Sequence, residues 1–162
     1  MDNQLIKKTV DSIIENYVRP NDNMTLFAAN RLASKVLEKA KEMKVKAVVA
    51  ITNRGANPVS VQCSDDSFIA SYDIALNKAY TSVALKMRTK ELEKLASPGG
   101  SLYGIQFTNG GKIVIFGGGE PLKNKDGEVI GGLGVSGGSE EEDTYLAEYG
   151  RKIFEKGLNN GY

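Results

Sequence analysis

The sequence predicts an α+β fold, in which helices pack on an antiparallel sheet, and three observations lead to this prediction. Apolar residues recur at helical spacing in several segments of the chain. Short runs rich in β-branched residues are separated by turns that contain glycine and asparagine, a pattern typical of hairpins. The length of 162 residues suits one domain, and 41% hydrophobic with 25% charged residues is a globular composition.

Two helices are predicted in the first part of the chain. The first runs from Leu5 to Val18 and is amphipathic, and the turn-forming residues 19–23 end it. Thr25 is the expected N-cap of a second helix that ends near Lys44. The apolar residues of this second helix are Ala29, Leu32, Ala33, Val36, Leu37 and Ala40.

A hairpin is predicted after the second helix. Residues 47–52 have the continuous apolar character of a buried strand. Residues 53–58 contain asparagine, glycine and proline and form the turn, and residues 59–63 form the returning strand. Cys63, at the end of this strand, is expected to be a small buried hydrophobic side chain.

Two more helices are expected next. A long helix runs from Phe68 to about Met87, and the Asp-Asp-Ser sequence at 65–67 offers N-caps for it. A shorter helix spans residues 90–96, with Thr89 as its cap. The Pro-Gly-Gly sequence at 98–100 ends this shorter helix, because proline cannot continue a helix and glycine favours its end.

A strand pair is predicted in the segment that follows. Residues 102–107 and 112–116 are expected to pair around residues 108–111, whose Thr-Asn-Gly-Gly sequence is a strong hairpin signal. Residues 117–121, with three glycines and a proline, are expected to form a sharp break after this hairpin.

The end of the chain predicts another hairpin and a final helix. The hairpin turns at residues 124–127, and residues 128–136 form the last strand. Residues 137–138 then lead into the helix, where Ser139 and Glu142 have capping-box spacing. The apolar face of this helix consists of Tyr145, Leu146, Tyr149, Ile153 and Phe154.

The composition excludes several kinds of chemistry. The sequence contains no histidine and one cysteine. Catalysis by Ser-His-Asp or Cys-His groups is therefore excluded, as are histidine-containing zinc sites and histidine-ligated haem. No intrachain disulfide and no metal site of several cysteines can form, so no metal site is expected. Acid–base chemistry would have to use Asp, Glu, Lys or Tyr.

The charge and the hydrophobic pattern also limit location and partners. The net charge of +1 provides no general attraction for nucleic acid or for an anionic membrane. No apolar stretch approaches the roughly 20 residues that span a bilayer, and residues 1–4 lack the features of a signal peptide. The expected location is the cytoplasm, with no nucleic-acid or membrane partner.

Glycine is concentrated in the last third of the sequence, at 117–119, 131–134 and 137–138. Such glycines either line a pocket with backbone amides or allow tight turns and close subunit packing. The last group precedes a helix N-terminus, where anions bind. The acidic residues at 140–143 already complement the helix dipole and would repel an anion, so a nucleotide phosphate is not expected there.

Lys78 is the candidate cation of a pocket near these glycines. It lies in the long helix beside Ala75 and Ala79, small residues that allow close packing. The lysine either reaches a pocket or is an ordinary solvated helix lysine. The candidate ligand-binding residues are Lys78, Gly117, Gly118, Gly119, Pro121, Ser136, Gly137 and Gly138.

Four segments of the chain resemble a known family. Residues 47–53 (AVVAITN), 74–81 (IALNKAYT), 117–122 (GGGEPL) and 129–138 (VIGGLGVSGG) are similar to the GlcG/HbpS haem-binding-like family. That family includes the C-terminal domain of PduO-type proteins. The Gly-Gly-X-Pro and Gly-Val-Ser-Gly-Gly sequences together are specific, and Asp143 fits the acidic residue that follows them in the family.

The resemblance, which covers about residues 25–154, implies a profilin-like fold with a five-stranded antiparallel sheet flanked by helices. Residues 1–23 would then be an additional N-terminal amphipathic helix with a short linker, and residues 24–158 the family domain. Family members assemble as dimers or larger rings, and some bind or degrade haem. The PduO-type haem binders use a histidine that this sequence lacks, and the adenosyltransferase of PduO resides in its other domain.

The residues and the resemblance together favour an oligomeric ligand-binding or accessory protein, without enzymatic activity. Its ligand would be haem, a corrinoid such as cobalamin, or a small metabolite. One alternative is an enzyme that acts on haem or a small carbonyl compound, with Lys78 as the cation and Asp73 or Asp143 as the acid–base group. Another alternative is a purely structural cargo protein.

Relatives of this type occur beside bacterial microcompartment enzymes, which gives residues 5–18 a second interpretation. A short amphipathic helix ahead of a linker resembles the peptides that dock cargo proteins to shell proteins. The other interpretation is that this helix packs on its own domain or on a neighbouring subunit. The expected partners are other copies of the chain and a shell protein, and the location would then be inside a microcompartment.

Overall fold

One antiparallel sheet of four strands organises the part of the chain that the computed structural model describes, residues 4–8 and 22–159. The strands are β1 (Val48–Asn53), β2 (Pro58–Cys63), β3 (Gly119–Lys123) and β4 (Val129–Ser136). Their order across the sheet is β2-β1-β4-β3. The two central strands, β1 and β4, pair with each other, and β2 and β3 form the edges.

Four helices cover the two faces of this sheet. They are α1 (Leu26–Glu42), α2 (Ile69–Ala84), α3 (Thr89–Ala96) and α4 (Glu140–Asn159). Side chains of β1 alternate between the faces: Val49 and Ile51 join the main core with α1 and α4, whereas Val48 and Ala50 pack on α2. The α+β prediction, with an antiparallel sheet flanked by helices, is confirmed.

Helix α2 lies unusually close to the sheet because β4 contains small residues beneath it. A Cβ atom on Gly134 would overlap the carbonyl oxygen of Ala75 and would lie 2.7 Å from the amide nitrogen of Ala79. The backbones of α2 and β4 therefore touch without a side-chain layer between them. This close approach brings the middle of α2 to the end of β4, where the candidate site lies.

The predicted hairpin of residues 102–107 and 112–116 is wrong. The first segment ends in a short 3₁₀ turn at Ile105–Phe107, a second such turn follows at Asn109–Gly111, and residues 112–116 belong to no strand. The backbone is left-handed at three consecutive residues, Asn109, Gly110 and Gly111, which is one more than the two that a type I′ hairpin turn contains. The apolar side chains of this segment, including Ile113, pack against α3 instead of joining the sheet.

The expected break at 117–121 is also partly wrong, because β3 begins at Gly119. Pro121 is accommodated because β3 is an edge strand, where a missing N–H group need not interrupt the sheet. The turn at 124–127 joins β3 to β4 as predicted. The described residues thus contain four strands where the resemblance implied five, and the profilin-like topology stays a prediction.

Among the first three helices, the start of α1 agrees with the sequence and the starts of α2 and α3 differ from it. Thr25 caps α1 by accepting a hydrogen bond from the amide of Ala28. Helix α2 has no side-chain cap from residues 65–67, because Asp66 is left-handed and pairs with Lys46. Thr89, the expected cap of α3, is instead its first residue and accepts a hydrogen bond from the Gly119 amide.

The N-terminal helix predicted from Leu5 to Val18 lies mostly outside the described residues. Residues 4–8 are helical and exposed. The remainder of the helix and most of the linker up to residue 21 are not described. Among the described helices, none combines the length and apolar character needed to cross a membrane.

Candidate functional site

Lys78 is fully buried beneath the sheet, which contradicts its interpretation as a solvated helix lysine. Its ammonium group donates one hydrogen bond to the carboxylate of Asp143 and another to the carbonyl oxygen of Val135, each at 2.8 Å. The Phe116 ring centroid lies 5.0 Å from the same nitrogen. The small residues around Lys78 make room for this inward position, because α2 touches β4 directly there.

Asp143 connects the buried ammonium to the turn that precedes α4. It lies in the first turn of α4 and is almost completely buried. One carboxylate oxygen pairs with Lys78, and the other accepts a hydrogen bond of 2.9 Å from the Gly138 amide. Burial lowers the pKa of Lys78 and raises the pKa of Asp143, while the attraction between the two charges opposes both shifts.

A cavity of about 300 Å³ lies between the start of α2, Phe116 and the β4–α4 turn, and we call it the Phe116 cavity. Its apolar side consists of Phe68, Ala70, Ile74 and Phe116. Its polar side consists of Ser71, Ser136, Gly137, Gly138, Glu140 and Asp143. The hydroxyl groups of Ser71 and Ser136 are 3.2 Å apart. The cavity therefore suits a ligand with an apolar body and a few polar atoms.

The amide groups at the start of α4 already have partners on their own chain. The amide of Ser139 donates to the carboxylate of Glu142, whose own amide donates to the Ser139 hydroxyl, so the predicted capping box is confirmed. The Gly138 amide donates to Asp143, and the Gly117 amide donates to Glu140. An anionic ligand would have to displace carboxylates here, which agrees with the expectation that no phosphate binds.

The structure brings only some of the predicted site residues to the cavity. Ser136 and the glycines at 137–138 line it directly. Gly118 lies behind it: its φ is +108°, and a Cβ there would lie 2.7 Å from the Lys78 nitrogen. The glycines at 117–119 therefore allow close packing around Lys78 and Thr89 instead of lining the cavity.

Pro121 lies in a different place, on a smaller cavity of about 170 Å³ at the edge strand β3. Its neighbour Glu120 is buried there between two arginines, with Nε of Arg88 at 2.8 Å and Nε of Arg151 at 2.9 Å. Burial raises the pKa of Glu120, and the two guanidinium groups oppose this shift. This network joins α3 and α4 to β3, and it was not predicted from the sequence.

The apolar side of the Phe116 cavity was not predicted from the sequence either. Phe68 is 72% exposed and the adjacent Ile69 is 96% exposed, and both precede the packed part of α2. Two large apolar side chains at the start of a predicted helix are the sequence signal that could have indicated this surface. Phe116 was assigned to a strand that does not exist.

Three further features do not support a site. Within the described residues, no three Asp, Glu or Cys side chains lie together in a way that could hold a metal ion. Cys63 is exposed, in contrast to the prediction, because it ends the edge strand β2. A wider groove of about 650 Å³ between α1 and residues 62–65 is open to solvent and contains none of the candidate ligand-binding residues.

Comparisons with known proteins agree with this architecture. Residues 24–152 match the family model described as "Haem degrading protein HbpS-like". A 15.0 kDa protein from the dhaT-dhaS intergenic region of Citrobacter freundii is 48% identical over 125 residues, which are 77% of this chain and 87% of that protein. The corrinoid adenosyltransferase PduO of Salmonella typhimurium is 39% identical over 74% of this chain, but this match spans only 35% of PduO.

A solved structure extends the comparison to a ligand complex. The haem complex of PduOC superposes with a TM-score of 0.76 and 35% sequence identity, over 80% of this chain and 94% of that chain. The region that the family model matches, residues 24–152, contains all four strands and the residues that line the Phe116 cavity. The chain belongs to the HbpS-like family.

Proposed function

We propose that this chain is a haem-binding accessory protein and that the ring of the ligand lies against the apolar side of the Phe116 cavity. The observation that carries the proposal is this cavity, whose apolar side includes the exposed Phe68. Membership of the HbpS-like family and the similarity to the haem complex of PduOC support it.

The residues of the cavity fit one edge of a porphyrin ring better than they fit the iron at its centre, because a volume of about 300 Å³ holds only part of the ring. Phe68, Ile74 and Phe116 would contact the ring face. The chain has no histidine, and the lining residues include no thiol, thioether or phenol. The carboxylates of Glu140 and Asp143 would keep the propionates directed towards solvent. Bound haem would supply a redox-active iron that carries no imidazole ligand from this chain.

Titration of tag-free protein with haem should show saturable but weak binding. We expect a dissociation constant of about 1 μM or weaker, which corresponds to a binding free energy of about 8 kcal/mol. The reason is that contacts with the ring would supply the binding energy without a strong ligand to the iron. The absorption spectrum should lack the features of a bis-histidine complex. Nanomolar affinity, or an imidazole-type spectrum from protein without a tag, would contradict this assignment.

A matched pair of variants on α2 locates the ligand in this titration. Ala70→Trp fills the Phe116 cavity, and Ala84→Trp places the same side chain at an exposed position at the other end of the helix. The first variant should weaken haem binding at least tenfold, or about 1.4 kcal/mol, and the second should leave it unchanged. Equal effects of both variants would place the ligand elsewhere.

We also propose that the protein is a homo-oligomer, a dimer or a larger ring. The exposed side chains of Phe68 and Ile69, which are adjacent at the start of α2, support this, because single-domain monomers seldom expose contiguous large apolar side chains. Light scattering at micromolar concentration should give a mass at least twice 17.5 kDa. A monodisperse mass of one chain would contradict the proposal.

A third proposal is that residues 5–18 dock the protein to a microcompartment shell protein. Deleting residues 2–21 should leave a cooperative unfolding transition, because the described core begins with Met24, whose amide bonds to Ile130, and with α1. The deletion should also abolish co-purification with shells. An insoluble truncated chain would show that the segment belongs to the core or to an essential interface, and unchanged co-purification would remove the docking role.

A further inference from the structure

The ammonium group of Lys78 has one N–H group more than its oxygen partners use. An ammonium carries three N–H groups. Among the described residues, two oxygens accept from it, the carbonyl of Val135 and the carboxylate of Asp143. The remaining neighbour is the ring of Phe116, whose centroid is 5.0 Å from the nitrogen. A cation–π contact of this kind is weaker than a hydrogen bond from a buried ammonium to an oxygen.

Phe116 belongs to both the cavity and the buried ion pair. Its ring lines the cavity and is 39% exposed, although it lies against the fully buried Lys78. The residue lies outside any helix or strand and is followed by Gly117 and by Gly118, whose backbone is left-handed. Since Gly118 has no Cβ, no side chain of that residue fills the space beside the ammonium. A small rotation of the ring would open the cavity to Lys78.

The charges around the cavity limit what can bind there. Asp143 and Glu140 both line it, and Lys78 is already neutralised by Asp143. The amides of Gly117 and Gly138, which would otherwise attract an anion, donate to these two carboxylates. A carboxylate ligand would therefore be repelled, whereas a neutral oxygen could accept the remaining N–H group without any such cost.

We propose that the Phe116 cavity binds a neutral short-chain carbonyl compound, whose oxygen accepts a hydrogen bond from Lys78 when the Phe116 ring turns aside. The alkyl part of the ligand would lie on Ile74, and a hydroxyl group on it would meet Ser71 and Ser136. A volume of about 300 Å³ is at the lower end for ligand sites and suits a small molecule. This inference uses the same cavity as the proposed haem site but does not depend on haem binding.

A tryptophan in place of Phe116 provides a direct fluorescence probe, because the natural sequence contains no tryptophan. The Phe116→Trp variant is titrated with butanone and, for comparison, with butyrate, which has the same chain length and a negative charge. We expect a saturable fluorescence change with butanone and a response at least tenfold weaker with butyrate. A stronger response to butyrate, or none to butanone, would overturn the proposal.

The role of Lys78 is tested by removing the ion pair as a unit. In the Phe116→Trp background, Lys78→Met with Asp143→Asn removes both buried charges and keeps an acceptor for the Gly138 amide. The butanone response should fall at least tenfold, and an unchanged response would contradict the proposal. If this variant does not fold, the side-chain ¹⁵N resonance of Lys78 in the unaltered protein should shift with butanone and not with butyrate. An unshifted resonance would also overturn the proposal, whatever the haem titration shows.

Discussion

Replacing Lys78 with alanine is expected to destabilise the protein by about 3–5 kcal/mol, since it leaves the carboxylate of Asp143 buried without its counter-ion. The Val135 carbonyl would lose its side-chain donor at the same time. The high helix propensity of alanine recovers only a fraction of this loss. Urea denaturation at pH 7 measures the change as a lower midpoint at an unchanged slope.

Two control variants separate burial of the charge from its mere presence. Lys90→Ala removes an ammonium that pairs with Glu140 at the surface, where solvent screens the ion pair, so it should lower the urea midpoint much less than Lys78→Ala. Lys78→Met with Asp143→Asn removes both members of the buried pair and should recover most of the stability that Lys78→Ala loses. A loss below about 1 kcal/mol for Lys78→Ala would show that the lysine is solvated after all.

Introducing a single methyl group at Gly134 is expected to cost about 3 kcal/mol or more, at the upper end of the range for overpacking. The new Cβ would collide with the backbone carbonyl of Ala75, and it would lie 2.7 Å from the amide of Ala79. Both contacts are with the backbone of α2, so no side chain can rotate away. The helix would have to move off β4, which would also disturb Lys78 and its hydrogen bonds.

Gly127→Ala is the matched control for Gly134→Ala. Gly127 has a φ of +81° in the β3–β4 turn, and a Cβ there would meet no atom within 4 Å. This variant therefore measures backbone strain without crowding, at about 1–2 kcal/mol. Thermal or urea unfolding of the two variants side by side decides between the effects. A smaller loss for Gly134→Ala than for Gly127→Ala would contradict the direct contact between α2 and β4.

The elements that the sequence predicted correctly are those with local signals. Helix α1 has its apolar stripe and its Thr25 cap, and the β1–β2 hairpin has an apolar run followed by a turn. The segment 102–116 carried equally apolar residues, yet these pack against α3. Apolar alternation alone does not show which surface a segment covers. Four residues with left-handed backbone between Gly104 and Gly111 keep this segment out of a continuous strand.

The site was predictable only in part, for a related reason. The glycine pattern indicated the β4–α4 turn, and the small neighbours of Lys78 indicated a close-packed helix face. The partner of Lys78 is Asp143, 65 positions away, and Glu120 meets Arg151 across 31 positions. Such pairs are created by the topology, so the sequence did not reveal that Lys78 is buried or that Glu120 anchors two helices.

The measurement that tests the proposed function most directly is a crystal structure of tag-free protein with bound haem. We expect the ring to lie against Phe68, Ile74 and Phe116, with the propionates in solvent and no imidazole on the iron. The Lys78–Asp143 pair should remain intact behind it. A ring bound in the groove between α1 and residues 62–65, or beside Glu120 and Pro121, would contradict the assignment of the Phe116 cavity as the haem site.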